Sequence, residues 1–507
     1  MKSRLGQAAL IVSASVLLSR VLGLGRETLL AALLGVTAEG DVYRYAFLIP
    51  DFLNYLLAGG FLSITLIPLL ARRVEEGNEL QARHDFTAVF RWVGLAIVVL
   101  TALLMIGTGA VAGLAFPTLA PPELAEVVRL TRIVLPAQIA FVLGSLFMAY
   151  QYVQKRFLIP ALAPLLYNLG IIGGGLITAG RTDNRADGFV WGALVGAVAG
   201  TLLLQWAGAR SAGLRFARGT SKAVPRYLAL AFPLMVGQSV AVLDEQFPRF
   251  FGQLAEAGAP SALSLARMLN MLPIGIIAQA AAVASSPFLA GLVAAGDDAE
   301  TDRLTDRALR GSIVASLLAA AMVVGAARPL VKLVYQWGRF DAADAETVSA
   351  LLVWFALAIP AWAIHQVLGR WFYAHQRMWL PVTVGTAATL LAIPLTFWFF
   401  EVGGVAGIAV ASSVVMWAYT LGLVIAWSRK RVDRWRPLAL LVVRTVVPAA
   451  AAAWAVRLIA DRMPAVGRVP TLLGCGVALL VGVVVFSVGG RPLGIDETQA
   501  RWWSTRV

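Results

Sequence analysis

The chain has 507 residues, of which 59% are hydrophobic and 14% are charged, and its mean hydropathy is +0.78. This composition excludes an ordinary soluble domain and indicates a membrane protein. The formal net charge of +14 does not indicate a nucleic-acid-binding surface, because the basic residues occupy short loops between apolar segments.

Apolar runs long enough to cross a bilayer recur along the whole chain and predict about fourteen membrane-spanning helices. In chain order, their predicted bounds are 7–35, 42–71, 87–115, 126–153, 158–180, 187–209, 226–252, 261–294, 310–334, 346–374, 380–400, 403–428, 437–460 and 468–489. The sequence therefore predicts an all-α polytopic membrane protein.

The loops between these spans differ in charge. Roughly two dozen Lys and Arg residues fall on one side of the membrane against about ten on the other, where the loops are shorter and more acidic. This positive-inside bias and the even number of spans predict that both termini are cytoplasmic. The first span continues without a small-residue cleavage pattern, so we expect a retained helix and not a removed signal peptide.

Two proline-containing segments recur at nearly one offset. Ala46 to Pro50 matches Leu269 to Pro273, and Gln154 to Pro160 matches Gln376 to Pro381, about 223 residues apart. The alternative is chance, because proline between Leu and Ile is common in membrane helices. Duplication predicts two six-helix lobes related by a pseudo-two-fold axis along the membrane normal, with a cleft between them.

The predicted lobes cover residues 1–222 and 223–434, and the basic stretch 429–436 separates them from two further helices in 435–490. The last two helices contain the alanine run 449–453 and the glycines Gly474, Gly476 and Gly482, and small residues let helices approach closely in lipid. Residues 491–507 form a predicted cytoplasmic tail.

Three arginines, Arg20, Arg26 and Arg267, lie inside apolar spans. A charge at the bilayer centre costs on the order of 3 kcal/mol on insertion scales, and arginine does not deprotonate, so such residues usually face a wet cavity or a partner. Arg20 and Arg26 lie about 240° apart around an ideal helix, and Gly23 and Gly25 permit a bend that turns both toward one cavity. Because guanidinium matches phosphate bidentately, the pattern predicts a phosphate-bearing substrate.

The alternative is a set of structural ion pairs and snorkelling side chains. Glu27 could pair with Arg20 or with a neighbouring helix, and Arg267 lies near a helix end, from which it could snorkel to the interface. Asp41 lies near the start of helix 2, where a carboxylate suits the helix dipole. Asp51 lies deeper in that helix, and we expect it to pair with Arg26 or Arg20.

No catalytic, cofactor or metal motif is present in the sequence. Cys475 is the one cysteine, the histidines His84, His365 and His375 are scattered, and neither a P-loop nor a nucleophile elbow occurs. We therefore expect a protein that is not an enzyme and that carries neither cofactor nor metal.

Several short motifs together resemble one family. They are Ser19 to Gly23 with Arg26, Gly40 and Asp41, Ile49 and Pro50, Pro160 to Pro164 with Tyr167 to Leu169, Phe372 to Ala374 with Gln376 and Pro381, and Gly404 to Ala409. Over roughly residues 7–428 the chain resembles the MurJ/MviN family of lipid II flippases. The resemblance implies the fold of the multidrug/oligosaccharidyl-lipid/polysaccharide exporter superfamily, a bacterial plasma-membrane location, two lobes around a cationic cavity, and a groove for the lipid tail at the two extra helices.

The resemblance also implies site residues. Arg20, Arg26 and Arg267 match the family's cavity arginines, and Asp41 matches its acidic residue near the start of helix 2. Where the family usually has an Asn, paired arginines and a glutamate after the helix 2 proline, this chain has Asp51, Asn54, Tyr55 and Gly59, and Asn270 replaces a frequent Glu. The predicted substrate-binding set is Arg20, Arg26, Arg267, Asp41, Asp51, Asn54 and Asn270.

Some members of the family have a sodium site in helices 7, 11 and 12, and this chain departs from it. Pro248 stands at the place of the usual acid, with Asp244 one turn away, and residues 389–397 offer no amide. We therefore expect no sodium site and take the membrane potential as the driving force.

The predicted function is translocation of lipid II from the inner to the outer leaflet by alternating access, with membrane lipids and the cell-wall synthesis machinery as further partners. The changed residues after the helix 2 proline leave a flippase for another lipid-linked oligosaccharide as the alternative. A drug exporter is disfavoured because cationic drugs require carboxylates. A membrane-embedded glycosyltransferase is a further alternative, and it would need a catalytic acid or base and usually a metal. A structural scaffold is another, and it predicts that the three arginines can be neutralised without consequence.

Overall fold

The computed structural model describes residues 2–54, 61–181, 184–217, 223–229, 231, 246–247, 249–377, 379–428, 435–462 and 468–493. All regular elements in these ranges are helices, which confirms the predicted all-α class. Eight helical segments in the described ranges are long and apolar enough to cross a membrane, or nine when one bent pair counts as a span. The count of about fourteen is consistent with this and stays a prediction.

By its internal contacts the chain divides into two units, Met1–Ser261 and Ala262–Val507. The helices of the first unit are α1 (Lys2–Leu34), α2 (Ala38–Ala46), α3 (Leu48–Leu53), α4 (Phe61–Glu75), α5 (Glu79–Ala115), α6 (Pro121–Val134), α7 (Ala137–Val153), α8 (Leu158–Thr178), α9 (Arg185–Gly196) and α10 (Leu204–Ser211), with a π-helical segment, Ala197–Leu203, between the last two. The predicted lobe boundary after residue 222 stays a prediction, because residues 218–222, 230 and 232–245 lie outside the described ranges.

The second unit contains most of α11 (Ala259–Ala295), whose first three residues belong to the first unit. It continues through α12 (Asp298–Tyr335), α13 (Ala342–Ala356), α14 (Ile359–Ala374), α15 (Trp379–Ser428), α16 (Trp435–Ala460) and α17 (Arg468–Gly490). A 3-10 turn, Arg491–Leu493, follows α17.

Three spans predicted as single helices are broken. The segment 42–71 contains α2, α3 and α4, the segment 126–153 is divided at Leu135 and Pro136, and the pair α13 and α14 bends by 42°. Proline lacks a donor N–H and disfavours helical geometry in the preceding residue, which accounts for the breaks beside Pro136 and Pro360. The predicted break between residues 400 and 403 lies at Gly404, whose φ of 56° interrupts α15.

The backbone supports the predicted duplication. Left-handed residues occur at matching places in the two units, 219 to 221 positions apart: Gly77 and Gly296, Lys155 and Gln376, and Asn184 and Gly404. The turns also match in their hydrogen bonds, because the Lys155 N–H donates to the Tyr152 carbonyl and the Gln376 N–H donates to the Tyr373 carbonyl. Two units with the same local turns are the expected result of a repeated sequence.

Small residues bring helices into backbone contact within each unit. In the second unit, a Cβ added to Gly325 of α12 would lie 2.5 Å from the Ala453 carbonyl of α16, and one added to Gly482 of α17 would meet Met322. The Gly482 Cβ would also lie 2.6 Å from Val456 of α16, whereas one added to Gly476 would have nothing within 4 Å. The predicted close packing of the last two helices is therefore confirmed at Gly482 and not at Gly476. In the first unit, a Cβ on Gly174 of α8 would lie 2.0 Å from the Gly188 carbonyl of α9. This contact fixes α8, which carries functional-site residues.

Candidate functional site

A cavity of about 500 Å³ lies within the first unit among α1, α2, α3, α7 and α8. We call it the arginine cavity. Its polar lining comprises Arg26, Glu27, Tyr43, Arg44, Asp51, Asn54, Gln138, Ser145, Tyr167, Thr201 and Arg249. Apolar side chains such as Phe47, Phe141 and Ile171 complete the wall. The cavity therefore places several charged groups beside an apolar surface inside a membrane-spanning protein.

Glu27 joins two arginines on adjacent helices. One of its carboxylate oxygens accepts a hydrogen bond of 2.8 Å from Arg26, and the other accepts two of 3.4 Å from Arg44. Glu27 and Arg44 are buried, whereas the Arg26 side chain is 24% exposed. The sequence left Arg20 and a neighbouring helix as possible partners of Glu27. The partner on a neighbouring helix is confirmed, because Arg44 lies on α2. Arg26 was not expected as a partner.

Asn168 of α8 orients Arg26 from the other side. Its side-chain oxygen accepts a 3.2 Å hydrogen bond from Arg26, while its amide nitrogen donates to the Pro164 carbonyl at 3.0 Å. The Arg26 Nε is buried and has no hydrogen-bond partner within the described ranges. An unsatisfied buried donor is costly, so this guanidinium retains capacity for an anionic ligand.

Asp51 pairs with Arg249 at 2.6 Å, and Gln246 accepts a second hydrogen bond from the same guanidinium at 3.0 Å. The expectation that Asp51 pairs with Arg26 or Arg20 is therefore wrong. Arg249 occupies a helical stretch, 249–252, and its side chain contacts Asp51 on α3. Sequence reasoning missed two cavity arginines, Arg44 and Arg249, which lie inside the predicted spans 42–71 and 226–252 and close to a span end.

The formal charges of the side chains that line the arginine cavity do not sum to zero. Three guanidinium groups, those of Arg26, Arg44 and Arg249, face two carboxylates, those of Glu27 and Asp51, so the described lining has a formal charge of +1. Arg26 and Arg249 are the more exposed cations, at 24% and 22%, against 9% for Arg44. The two accessible arginines are therefore better placed to contact an anion, and Arg44 is better placed to hold Glu27.

The other predicted residues lie elsewhere. Arg20 is partly buried but is not among the lining residues of the arginine cavity. Because α1 is helical without interruption through Gly23 and Gly25, Arg20 and Arg26 lie on different sides of it. Arg267 and Asn270 lie on α11 in the second unit. Arg267 is partly buried, and the buried Asn270 side-chain oxygen has no hydrogen-bond partner in the part of the chain that the structure describes.

Asp41 fastens the first turn of α2 to the start of α11. Its buried carboxylate accepts backbone hydrogen bonds from Gly258 at 2.5 Å and from Ser261 at 2.9 Å. The Ser261 hydroxyl in turn accepts a 3.4 Å hydrogen bond from Arg44. A carboxylate at a helix N-terminus satisfies free N–H groups and interacts favourably with the helix dipole. Asp41 therefore caps the start of α11, and the hydrogen bond between Ser261 and Arg44 connects this cap to the arginine cavity.

The residues that bear on the sodium question, Asp244 and Pro248, lie outside the described residues. Among the residues that are described, no group of three or more His, Cys, Asp or Glu side chains is placed to hold a metal ion.

Comparison with known proteins gives one consistent family. The family model described as "Lipid II flippase MurJ" matches residues 30–474. A protein from Rhizobium meliloti (strain 1021), named "Probable lipid II flippase MurJ", is 26% identical over 97% of this chain and 95% of its own length. The "Lipid II flippase MurJ" of Burkholderia cenocepacia is 27% identical over 80% of this chain and 81% of its own length.

Solved structures show the same fold. A structure described as "Lipid II flippase MurJ, inward closed conformation" superposes with a TM-score of 0.78 at 20% identity and covers 96% of this chain and 99% of the solved chain. An inward-facing multidrug resistance MATE family transporter of the MOP superfamily superposes with a TM-score of 0.68 at 13% identity, over 83% of this chain and 96% of its own. At these identities the similarity concerns the fold alone.

Proposed function

Because the chain belongs to the lipid II flippase MurJ family, we propose that it moves lipid II, the undecaprenyl-pyrophosphate-linked peptidoglycan precursor, from the inner to the outer leaflet of the bacterial inner membrane. The observation that carries this proposal is the arginine cavity, with its three guanidinium groups and formal charge of +1 within a membrane-spanning unit. Guanidinium binds phosphate oxygens bidentately, and the diphosphate of this lipid supplies them.

The two accessible arginines, Arg26 and Arg249, contact the diphosphate in this mechanism. Glu27 and Arg44 hold Arg26 at one edge of the cavity, and Asp51 holds Arg249 at another. Each carboxylate pairs with its arginine while no substrate is bound, which lowers the cost of a charge in a low-dielectric site. When lipid II binds, its diphosphate replaces these carboxylates as the acceptor of the guanidinium hydrogen bonds.

The neutral polar side chains of the arginine cavity receive the saccharide. Gln138, Ser145 and Thr201 line the wall contributed by α7 and the π-helical segment. Gln138 is buried, and its side-chain oxygen has no hydrogen-bond partner within the described ranges, so it can accept a hydrogen bond from a sugar hydroxyl. Polar lining replaces the hydration that the head group loses, and the lipid tail stays in hydrocarbon.

In this proposal the membrane potential sets the direction of lipid transport, without a bound coupling ion. A potential that is negative inside favours outward movement of negative charge by about 2.3 kcal/mol per elementary charge per 100 mV. Two phosphate charges that cross the whole field therefore gain up to about 4.6 kcal/mol per 100 mV. Alternating access of the two halves, with both termini cytoplasmic, exposes the site to each leaflet in turn.

The test is replacement in a strain depleted of its own lipid II flippase. Wild type, Arg26→Gln and Arg249→Gln are expressed at matched levels, with Arg457→Gln on the exposed face of α16 as the control. We expect growth with wild type and the control and failure with both cavity variants. Failure of wild type would favour another lipid-linked oligosaccharide as the substrate, and equal rescue by all four would reject the arginine cavity as the substrate site.

A further inference from the structure

A second pocket, a groove of about 510 Å³, lies on the first unit between α5, α6 and α9. We call it the Arg132 groove. Its apolar lining includes Met105, Ile133, Trp191 and Leu194, and two arginines, Arg129 and Arg132, lie among these residues. We propose that the Arg132 groove binds an aminophospholipid, with the lipid phosphate on Arg132 and the head-group ammonium on the carboxylates of Glu126 and Asp187, which pair with the neighbouring Arg129.

The Arg132 groove faces the bilayer. The three helices that form it belong to segments that are long and apolar enough to cross a membrane. Large apolar residues on α5 and α9 that are close in sequence to its lining are strongly exposed, with 61% for Leu103, 79% for Ile106 and 60% for Val195. Exposed apolar side chains on a membrane-spanning unit contact acyl chains.

Arg132 provides the phosphate contact. Its Nε donates a 3.1 Å hydrogen bond to the Met105 carbonyl, and its side chain is exposed. No carboxylate is placed to pair with Arg132 within the described ranges. A guanidinium beside an apolar groove has terminal N–H groups to offer, and arginine stays charged in such surroundings. A lipid phosphate satisfies these donors while its acyl chain fills the groove.

The charge next to Arg132 identifies the head group. Arg129, three residues earlier and about 4.5 Å along the helix axis, pairs with both Glu126 and Asp187. One guanidinium against two carboxylates leaves this cluster with a formal charge of −1. A positive site at Arg132 and a net negative cluster around Arg129 complement a phosphate joined to an ammonium by a short linker.

This pattern discriminates among phospholipids. A primary ammonium donates hydrogen bonds to carboxylates, whereas the quaternary ammonium of a choline head group has no N–H to donate. A glycerol head group has no cation and meets uncompensated negative charge at Glu126 and Asp187. The Arg132 groove therefore favours phosphatidylethanolamine over phosphatidylcholine and phosphatidylglycerol. This inference does not depend on which lipid the arginine cavity transports.

The experiment is native mass spectrometry of the full-length purified protein, titrated with defined phosphatidylethanolamine, phosphatidylglycerol or phosphatidylcholine. We compare wild type with Arg132→Gln, Asp187→Asn and the control Arg457→Gln, whose arginine is exposed near the end of a membrane helix. For wild type and the control we expect one phosphatidylethanolamine that binds at least about tenfold more tightly than either other lipid, the ratio that one charge-assisted hydrogen bond supports.

The variants separate the two halves of the proposed site. Arg132→Gln should lose the tight lipid, and Asp187→Asn should keep it but bind phosphatidylethanolamine and phosphatidylglycerol about equally. Thermal melting of each variant in the same detergent checks that the fold is intact. Equal affinity of wild type for the three lipids would overturn the head-group assignment, and unchanged binding by a folded Arg132→Gln variant would overturn the site.

Discussion

Substituting glutamine for Arg249 removes one of the two accessible cations from the arginine cavity and leaves Asp51 without its partner. The pair is short, at 2.6 Å, but both side chains are partly hydrated, with 22% and 28% exposed. We therefore expect a structural cost of about 1 to 2 kcal/mol, below the 3 to 5 kcal/mol typical of a fully buried pair. The loss of a charge-assisted hydrogen bond to phosphate should weaken lipid II binding by about 1.5 to 3 kcal/mol, roughly 10- to 150-fold.

The assay is a double-mutant cycle with Arg249→Gln, Asp51→Asn and the double variant. Thermal melting reports stability, and equilibrium binding of lipid II in detergent reports the site. We expect Asp51→Asn to lose stability but to keep its affinity, because Arg249 remains. The double variant should recover stability, since removing both partners of an ion pair is often nearly neutral, while its affinity stays low.

If the Asp51–Arg249 pair is purely structural, lipid II affinity changes only where stability changes. The double variant, with its stability restored, then binds lipid II as tightly as wild type. That result would refute the assignment of Arg249 as a substrate-binding cation.

Three further substitutions test the ion pair, the helix packing and the helix cap that surround the arginine cavity. Glu27→Gln should destabilise the protein by about 3 kcal/mol or more in a denaturant titration, because it leaves the buried Arg44 without its carboxylate; an unchanged midpoint would contradict this role. Gly174→Ala should lower the melting temperature through its backbone clash with α9, whereas Gly173→Ala, which has nothing within 4 Å of the added Cβ, should not; equal effects would reject the close contact. Asp41→Asn should speed hydrogen exchange in the first turn of α11, since a neutral amide caps it less strongly; unchanged protection there would rule out capping.

Much of the fold could be predicted from the sequence, because hydrophobic length and proline-marked turns are local properties. The spans 7–35, 158–180 and 437–460 lie within a few residues of α1, α8 and α16. The repeated turns at Lys155 and Gln376 follow from the repeated segment that led to the prediction of duplication. The breaks within other spans could not be placed, because a proline in a membrane helix either bends it or ends it, and its neighbours decide which.

The candidate site was harder to predict because its ion pairs join distant positions. Asp51 and Arg249 are 198 residues apart, and no local pattern pairs them. Arg26 lines the arginine cavity and pairs with Glu27, in keeping with the rule that a charge in an apolar span faces a cavity or a partner. Arg20, on the same helix, required a bend at two glycines, and glycine permits a bend without imposing it.

The most direct test of the arginine cavity measures whether it recognises the diphosphate. The measurement is the equilibrium affinity of the purified protein for a short-chain lipid II and for the same lipid with a single phosphate. We predict at least about tenfold tighter binding of the diphosphate in wild type, and no such difference in the Arg26→Gln, Arg249→Gln double variant. Equal affinities in wild type, or an undiminished preference in the double variant, would contradict the account.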